Sequence, residues 1–151
     1  MTNQLFVKSS ITINASAAKV WDALINPEKT KKYMFGCETV SDWKIGSPLL
    51  WQAEYEGKET VFVKGEIVDL QPEKYLKYTT IDPNSNIDDT SENYLTVTYE
   101  LISDDGKTIL NVKQGDYLTV AYGERRYQEA YNNGEGWDPI LTEIKKLVES
   151  E

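Results

Sequence analysis

The chain has 151 residues, the size of one domain that can bury a substantial core. Hydrophobic residues make up 40% and charged residues 27%, ordinary globular values that argue against wholesale disorder. Sixteen basic residues face 25 acidic ones, and the net charge of -9 argues against nucleic acid or an anionic membrane surface as a partner.

Leu5 to Ile13 alternates, with Val7, Ser9, Ile11 and Ile13 on one side and Lys8, Ser10 and Thr12 on the other. That is the pattern of a half-buried strand. Asn14 and Ser16 offer helix N-caps, and Val20, Trp21, Leu24 and Ile25 form a helical stripe. Asn26-Pro27 ends this helix and starts a second, short one that stops near Gly36.

Six strand-like runs follow, over 37–45, 49–55, 60–70, 75–81, 93–102 and 107–117. Short turns at Gly46-Ser47-Pro48, Glu56-Gly57-Lys58, Gln71–Lys74 and Asp104-Asp105-Gly106 join most of them, which predicts an antiparallel meander. The tail carries Tyr127, Ala130, Tyr131, Gly134, Trp137, Leu141, Ile144 and Val148 at helical spacing, with Gly134 and Gly136 as points of weakness. The expected fold is therefore α+β. A curved antiparallel sheet of about seven strands wraps a long C-terminal helix, with two short helices after strand 1, and residues 1–151 form a single domain.

The chemistry is bounded by what is missing. No histidine is present, which removes Ser-His-Asp and Cys-His arrangements and the commonest transition-metal ligand. Cys37 is the single cysteine, so no internal disulfide forms and no ordinary zinc site exists. It reads as a small half-buried hydrophobe rather than a nucleophile. Asp82–Asn93 has oxygen side chains at loop positions one, three, five and seven. It lacks the glycine at position six and the final glutamate of a calcium loop. Asp42, Asp69 and Asp116 lie in or beside strands without a spacing that pairs them. Gly134-Glu135-Gly136 falls inside the helical stripe, where no phosphate cradle forms. No catalytic residue, metal or cofactor is expected.

The N-terminus Met1-Thr2-Asn3-Gln4 lacks the features of a signal peptide, and no apolar run approaches the roughly 20 residues that span a bilayer. A cytoplasmic location is expected.

Aromatic residues remain: four Trp, ten Tyr and three Phe. Strand parity turns Trp51, Ala53 and Tyr55 to one face, and likewise Leu76, Tyr78 and Thr80. Leu95, Val97, Tyr99 and Leu101 share a face, as do Leu110, Val112 and Gln114. These faces should meet Tyr131, Trp137 and Leu141. A face so rich in Tyr and Trp, with an inward amide at Gln114, suits a mostly apolar cavity with a few polar groups. Trp51, Tyr78, Gln114, Tyr131 and Trp137 are the candidate ligand-binding residues.

The order of these elements resembles the START-like, or SRPBCC, superfamily with its helix-grip fold. Within it the chain is most similar to the group named after the activator of heat-shock protein 90 ATPase, in its C-terminal domain. The resemblance rests on Ala17-Ala18-Lys19-Val20-Trp21-Asp22-Ala23-Leu24 and Asn26-Pro27-Glu28. It continues through the Gly46 turn, Trp51, Gly65–Pro72, and Gly136-Trp137 leading into Ile140, Leu141, Ile144 and Leu147. The family fold implies a cavity between sheet and C-terminal helix. Gln114 stands where many members have a histidine, which argues against an acid–base role there. The expected function is non-enzymatic binding of a small apolar or aromatic molecule. The alternatives are a chaperone-associated interaction protein and an aromatase/cyclase-like enzyme.

Overall fold

The computed structural model describes residues 5–131 and 134–150. Seven strands form one sheet: β1 (Val7–Ile13), β2 (Glu38–Ser41), β3 (Pro48–Tyr55), β4 (Lys58–Gln71), β5 (Tyr75–Thr80), β6 (Leu95–Asp104) and β7 (Lys107–Gly115). Their spatial order is β1-β7-β6-β5-β4-β3-β2, and every neighbouring pair is antiparallel. The meander β2–β7 is thus closed on one side by the first strand of the chain.

Local chemistry explains the boundaries. α1 (Ala17–Ile25) starts where the Ser16 hydroxyl accepts the N–H of Lys19, and it buries Val20, Trp21, Ala23 and Leu24. α2 (Pro27–Tyr33) starts where Asn26 Oδ1 accepts the N–H of Glu28 at 3.0 Å, with Pro27 in its first turn. Glu56-Gly57 and Asp105-Gly106 both take positive φ at each residue, as two-residue hairpins with the right twist require.

Two strands are shorter than their sequence pattern. β2 stops at Ser41 because its hydroxyl accepts the N–H of Trp43 (3.0 Å), while Ser47 Oγ accepts that of Lys44 (3.1 Å). β7 stops at Gly115 because Asp116 Oδ1 takes the N–H groups of Leu5 (2.9 Å) and Leu118 (3.0 Å). β4 bends closely over β5: a Cβ at Gly65 would lie 1.6 Å from the Thr79 carbonyl oxygen, so only glycine fits there.

The C-terminal stripe is divided. α3 (Gly123–Tyr131) and α4 (Asp138–Glu149) are separate helices, and Gly134 and Gly136 between them have φ of 91° and 51°. At Gly136 a side chain would also press on Val7 Cγ1 at 3.0 Å. The apolar period survives the break, but the helix axis does not, so the long helix expected from the sequence is α4 alone. α4 runs along β1. Trp137 N–H donates to Ser9 Oγ (3.2 Å) at its head, and Glu149 Oε2 accepts the N–H of Asn14 (2.8 Å) at its tail.

The buried side chains form one core cluster. Around the tail of α4, Leu141, Ile144 and Val148 are buried with Val20 and Leu24 of α1, Ile13 and Leu110. Around its head the space is not filled.

Candidate functional site

At the head of α4 the concave sheet and the helices leave a hollow of about 540 Å³. That lies within the roughly 300–1,000 Å³ of ordinary small-molecule sites. Strand parity places Trp51, Tyr78, Thr80, Val97 and Gln114 on its floor. Trp137 and Ile140 come from the head of α4, and Glu129 and Ala130 from α3. Met34, Phe35 and Cys37 come from the segment after α2. Phe35, 86% exposed, stands at the rim.

The aromatic rings form a connected row. Trp51 and Tyr78 lie 6.2 Å apart between centroids, Tyr78 and Tyr99 5.5 Å, and Tyr99 and Trp137 5.8 Å. The last two pairs meet edge to face, the arrangement the ring quadrupoles favour. The phenols of Tyr78 and Tyr99 share a hydrogen bond of 2.6 Å. Burial pushes both phenols above the ordinary tyrosine range. Burial also pushes the Cys37 thiol up. These groups therefore stay protonated and neutral at physiological pH.

Trp137 is held on three sides. Its backbone N–H donates to Ser9 Oγ, its ring rests against Tyr99, and its indole Nε1 donates to Gln114 Oε1 at 2.9 Å. The inward amide anticipated at Gln114 is thus engaged with the aromatic residue facing it.

Of the five residues singled out in the sequence, Trp51, Tyr78, Gln114 and Trp137 line this one hollow. Tyr131 does not. It is 42% exposed, stacks on Tyr127 at 5.4 Å and lines a separate groove beside β1. The break at Gly134 is the reason: it ends α3 just past Tyr131, and the residues of α3 that reach the hollow are Glu129 and Ala130. Tyr55, expected inward, is also exposed, because the β3–β4 hairpin extends beyond the core.

Several lining residues escape strand parity. Phe62 and Val63 are adjacent, yet both line the hollow. The β3–β4 register shifts between Trp51 and Gln52, and the resulting bulge breaks strict alternation. The unbroken apolar run Val61-Phe62-Val63 carries no sign of it. Met34 and Phe35 follow the end of α2, where no periodicity exists to read.

The strand aspartates Asp42, Asp69 and Asp116 lie elsewhere. Asp69 accepts the Tyr75 phenol and Asp116 holds backbone N–H groups, both outside the hollow. In the polar loop, Asp82 Oδ1 accepts the N–H of Asn84 (2.8 Å), and Asp89 pairs with Lys64 and Tyr94. Among the described residues no group of three or more His, Cys, Asp or Glu is placed to hold a metal. No helix of the described residues is long and apolar enough to cross a membrane.

An open antiparallel sheet gripping a C-terminal helix over a hollow defines a protein of the START-like, helix-grip class. Residues 14–149 match the family described as "Activator of Hsp90 ATPase homolog 1-like protein", and the chain belongs to that family. It is 34% identical to the solved protein ChR145 from Cytophaga hutchinsonii, covering 99% of this chain and 97% of that one with a TM-score of 0.77. PFC0360w, an HSP90 activator from Plasmodium falciparum, shares the fold at 16% identity. The match covers 95% of this chain and 96% of that one, with a TM-score of 0.67. CalU16 from Micromonospora echinospora shares it at 17% identity, 95% and 73% coverage and a TM-score of 0.67. No curated protein matches the chain.

Proposed function

We propose that the protein binds a small apolar or aromatic molecule in the hollow at the head of α4, without transforming it. The observation that carries this reading is the hollow itself: about 540 Å³, walled by Trp51, Tyr78, Val97, Trp137 and Ile140, with one amide on its floor. A few polar groups in a mostly apolar wall are the usual make-up of a small-molecule site. Binding fits better than catalysis because the Cys37 thiol and the Tyr78 phenol of the wall are held neutral by burial. An environmentally sensitive apolar dye tests the proposal. It should bind with micromolar affinity, about -8 kcal/mol, and Ile140→Trp should displace it. Native mass spectrometry of protein from its own host would show a co-purifying molecule. An absence of dye binding up to millimolar concentration would overturn the reading.

Family membership favours a second reading, association with a chaperone. It predicts that the protein raises the ATPase rate of heat-shock protein 90 when the two are mixed. An unchanged rate would remove it. The single free cysteine, Cys37, suits work in a reducing compartment such as the cytoplasm.

A further inference from the structure

The Gln114 side chain has a fixed polarity, and its consequence for the ligand rests on the reading of the hollow as a binding site. An indole N–H can donate but never accept. The atom of Gln114 that faces Trp137 Nε1 at 2.9 Å is therefore the amide oxygen, and a flipped amide would set N–H against N–H. The other end, Nε2, makes no hydrogen bond to any described residue, although Gln114 lines the hollow. Gln114 is half-buried and this nitrogen reaches water, so an occupant that displaces the water must offer it an acceptor or leave it unpaired.

Charge then narrows the acceptor. Among the described residues lining the hollow none is Lys or Arg, and the only charged one is Glu129. Glu129 is exposed and lies 3.9 Å from the Arg125 guanidinium, so it adds little repulsion, but an anionic oxygen buried against the apolar wall would meet no Lys or Arg there, which disfavours it. A neutral carbonyl oxygen meets the same donor at no such cost. The donor is also held in place. Gln114 sits mid-sheet, paired with Val7 of β1 and Val97 of β6, and its brace Trp137 is itself fixed by Ser9 and Tyr99.

We propose that the hollow selects apolar or aromatic molecules carrying a neutral carbonyl oxygen, such as aryl ketones, quinones or esters, and that Gln114 Nε2 donates to that oxygen. Trp137 acts as the positioning residue that keeps the donor pointed inward.

Three probes of one skeleton test this: 2-acetylnaphthalene, 2-ethylnaphthalene and 2-naphthoate, titrated by quenching of tryptophan fluorescence. The ketone should bind about tenfold more tightly than the hydrocarbon, because the hydrocarbon strips the donor of its water and offers nothing in return, and the carboxylate more weakly than the ketone. Gln114→Leu should bring ketone and hydrocarbon to equal affinity while the hydrocarbon still binds. Trp137→Phe, which removes the indole N–H and frees the amide to turn, should reduce the preference for the ketone several-fold. Equal binding of ketone and hydrocarbon by the unaltered protein would overturn this inference and leave the binding site standing. Tighter binding of naphthoate than of the ketone would overturn it too. No binding by any of the three would overturn both the inference and the reading beneath it.

Discussion

Ile140 and Leu141 are neighbours in one helix and share one core, yet only Ile140 also lines the hollow. Leu141 is 1% exposed within that core, whereas Ile140 is half-buried against it and lines the hollow. Along α4, Leu141, Ile144 and Val148 are buried in the cluster that also holds Leu24, Ile13 and Leu110. The head of α4 is propped open by a braced tryptophan and a row of aromatic rings.

The largest expected effect lies in the core. Leu141→Ala should destabilise by about 3–5 kcal/mol in urea titration, as truncations in tight cores do. We expect the loss in one cooperative transition, because one core underlies the sheet. Two separated calorimetric peaks would divide the molecule where the comparison joins it.

Alkaline pH should act on the aromatic row next. Burial pushes the Tyr33, Tyr78 and Tyr99 phenols above their ordinary value of 10. The unfolded chain therefore releases these protons at lower pH than the folded one. Stability should be whole below about pH 10 and fall as pH rises beyond it, more steeply than one group allows. Spectrophotometric titration at 295 nm should show these phenols ionising only with unfolding. Free ionisation of all ten tyrosines near pH 10 in the folded protein would contradict the buried row.

A smaller effect is expected at Ile140. Ile140→Ala should cost about 1 kcal/mol, since its side chain is only half removed from water and no tight cavity is left behind. Ile140→Trp should leave stability nearly unchanged while abolishing dye binding. A cost for Ile140→Ala equal to that for Leu141→Ala would mean that the hollow closes in solution.

The smallest effect concerns the tail of α4. The Lys145 ammonium and the N–H of Asn14 hold the Glu149 carboxyl below its ordinary value of 4.5. Its contribution is present above that value and lost as pH falls through the lower, folded one. Glu149→Gln should lower stability slightly at neutral pH and leave it unchanged in acid, so that the acid limb of the stability curve is flatter. A steeper acid limb in the variant would show that this contact does not hold.

Much of the architecture is legible in residue order because it follows from local rules. Ser16 and Asn26 cap helices where they stand, and Asp105-Gly106 turns a hairpin by its backbone preference alone. Alternation in β5, β6 and β7 assigns Tyr78, Val97 and Gln114 to the inner face, because side chains in a strand change sides at every residue. These local rules also brought Trp51 and Trp137 into view.

What they could not decide depends on partners distant in the chain. The bulge that turns both Phe62 and Val63 inward exists only in the pairing of β4 with β3. The break that carries Tyr131 away from the hollow occurs where Gly136 must pass close to Val7, more than a hundred residues earlier. The polarity of Gln114 is settled by Trp137 across the interior. Periodicity assigns a residue to a face of its own element. Whether the space before that face is filled, hollow or crossed by a hydrogen bond is set by how the elements approach one another, and only the tertiary structure contains that distance.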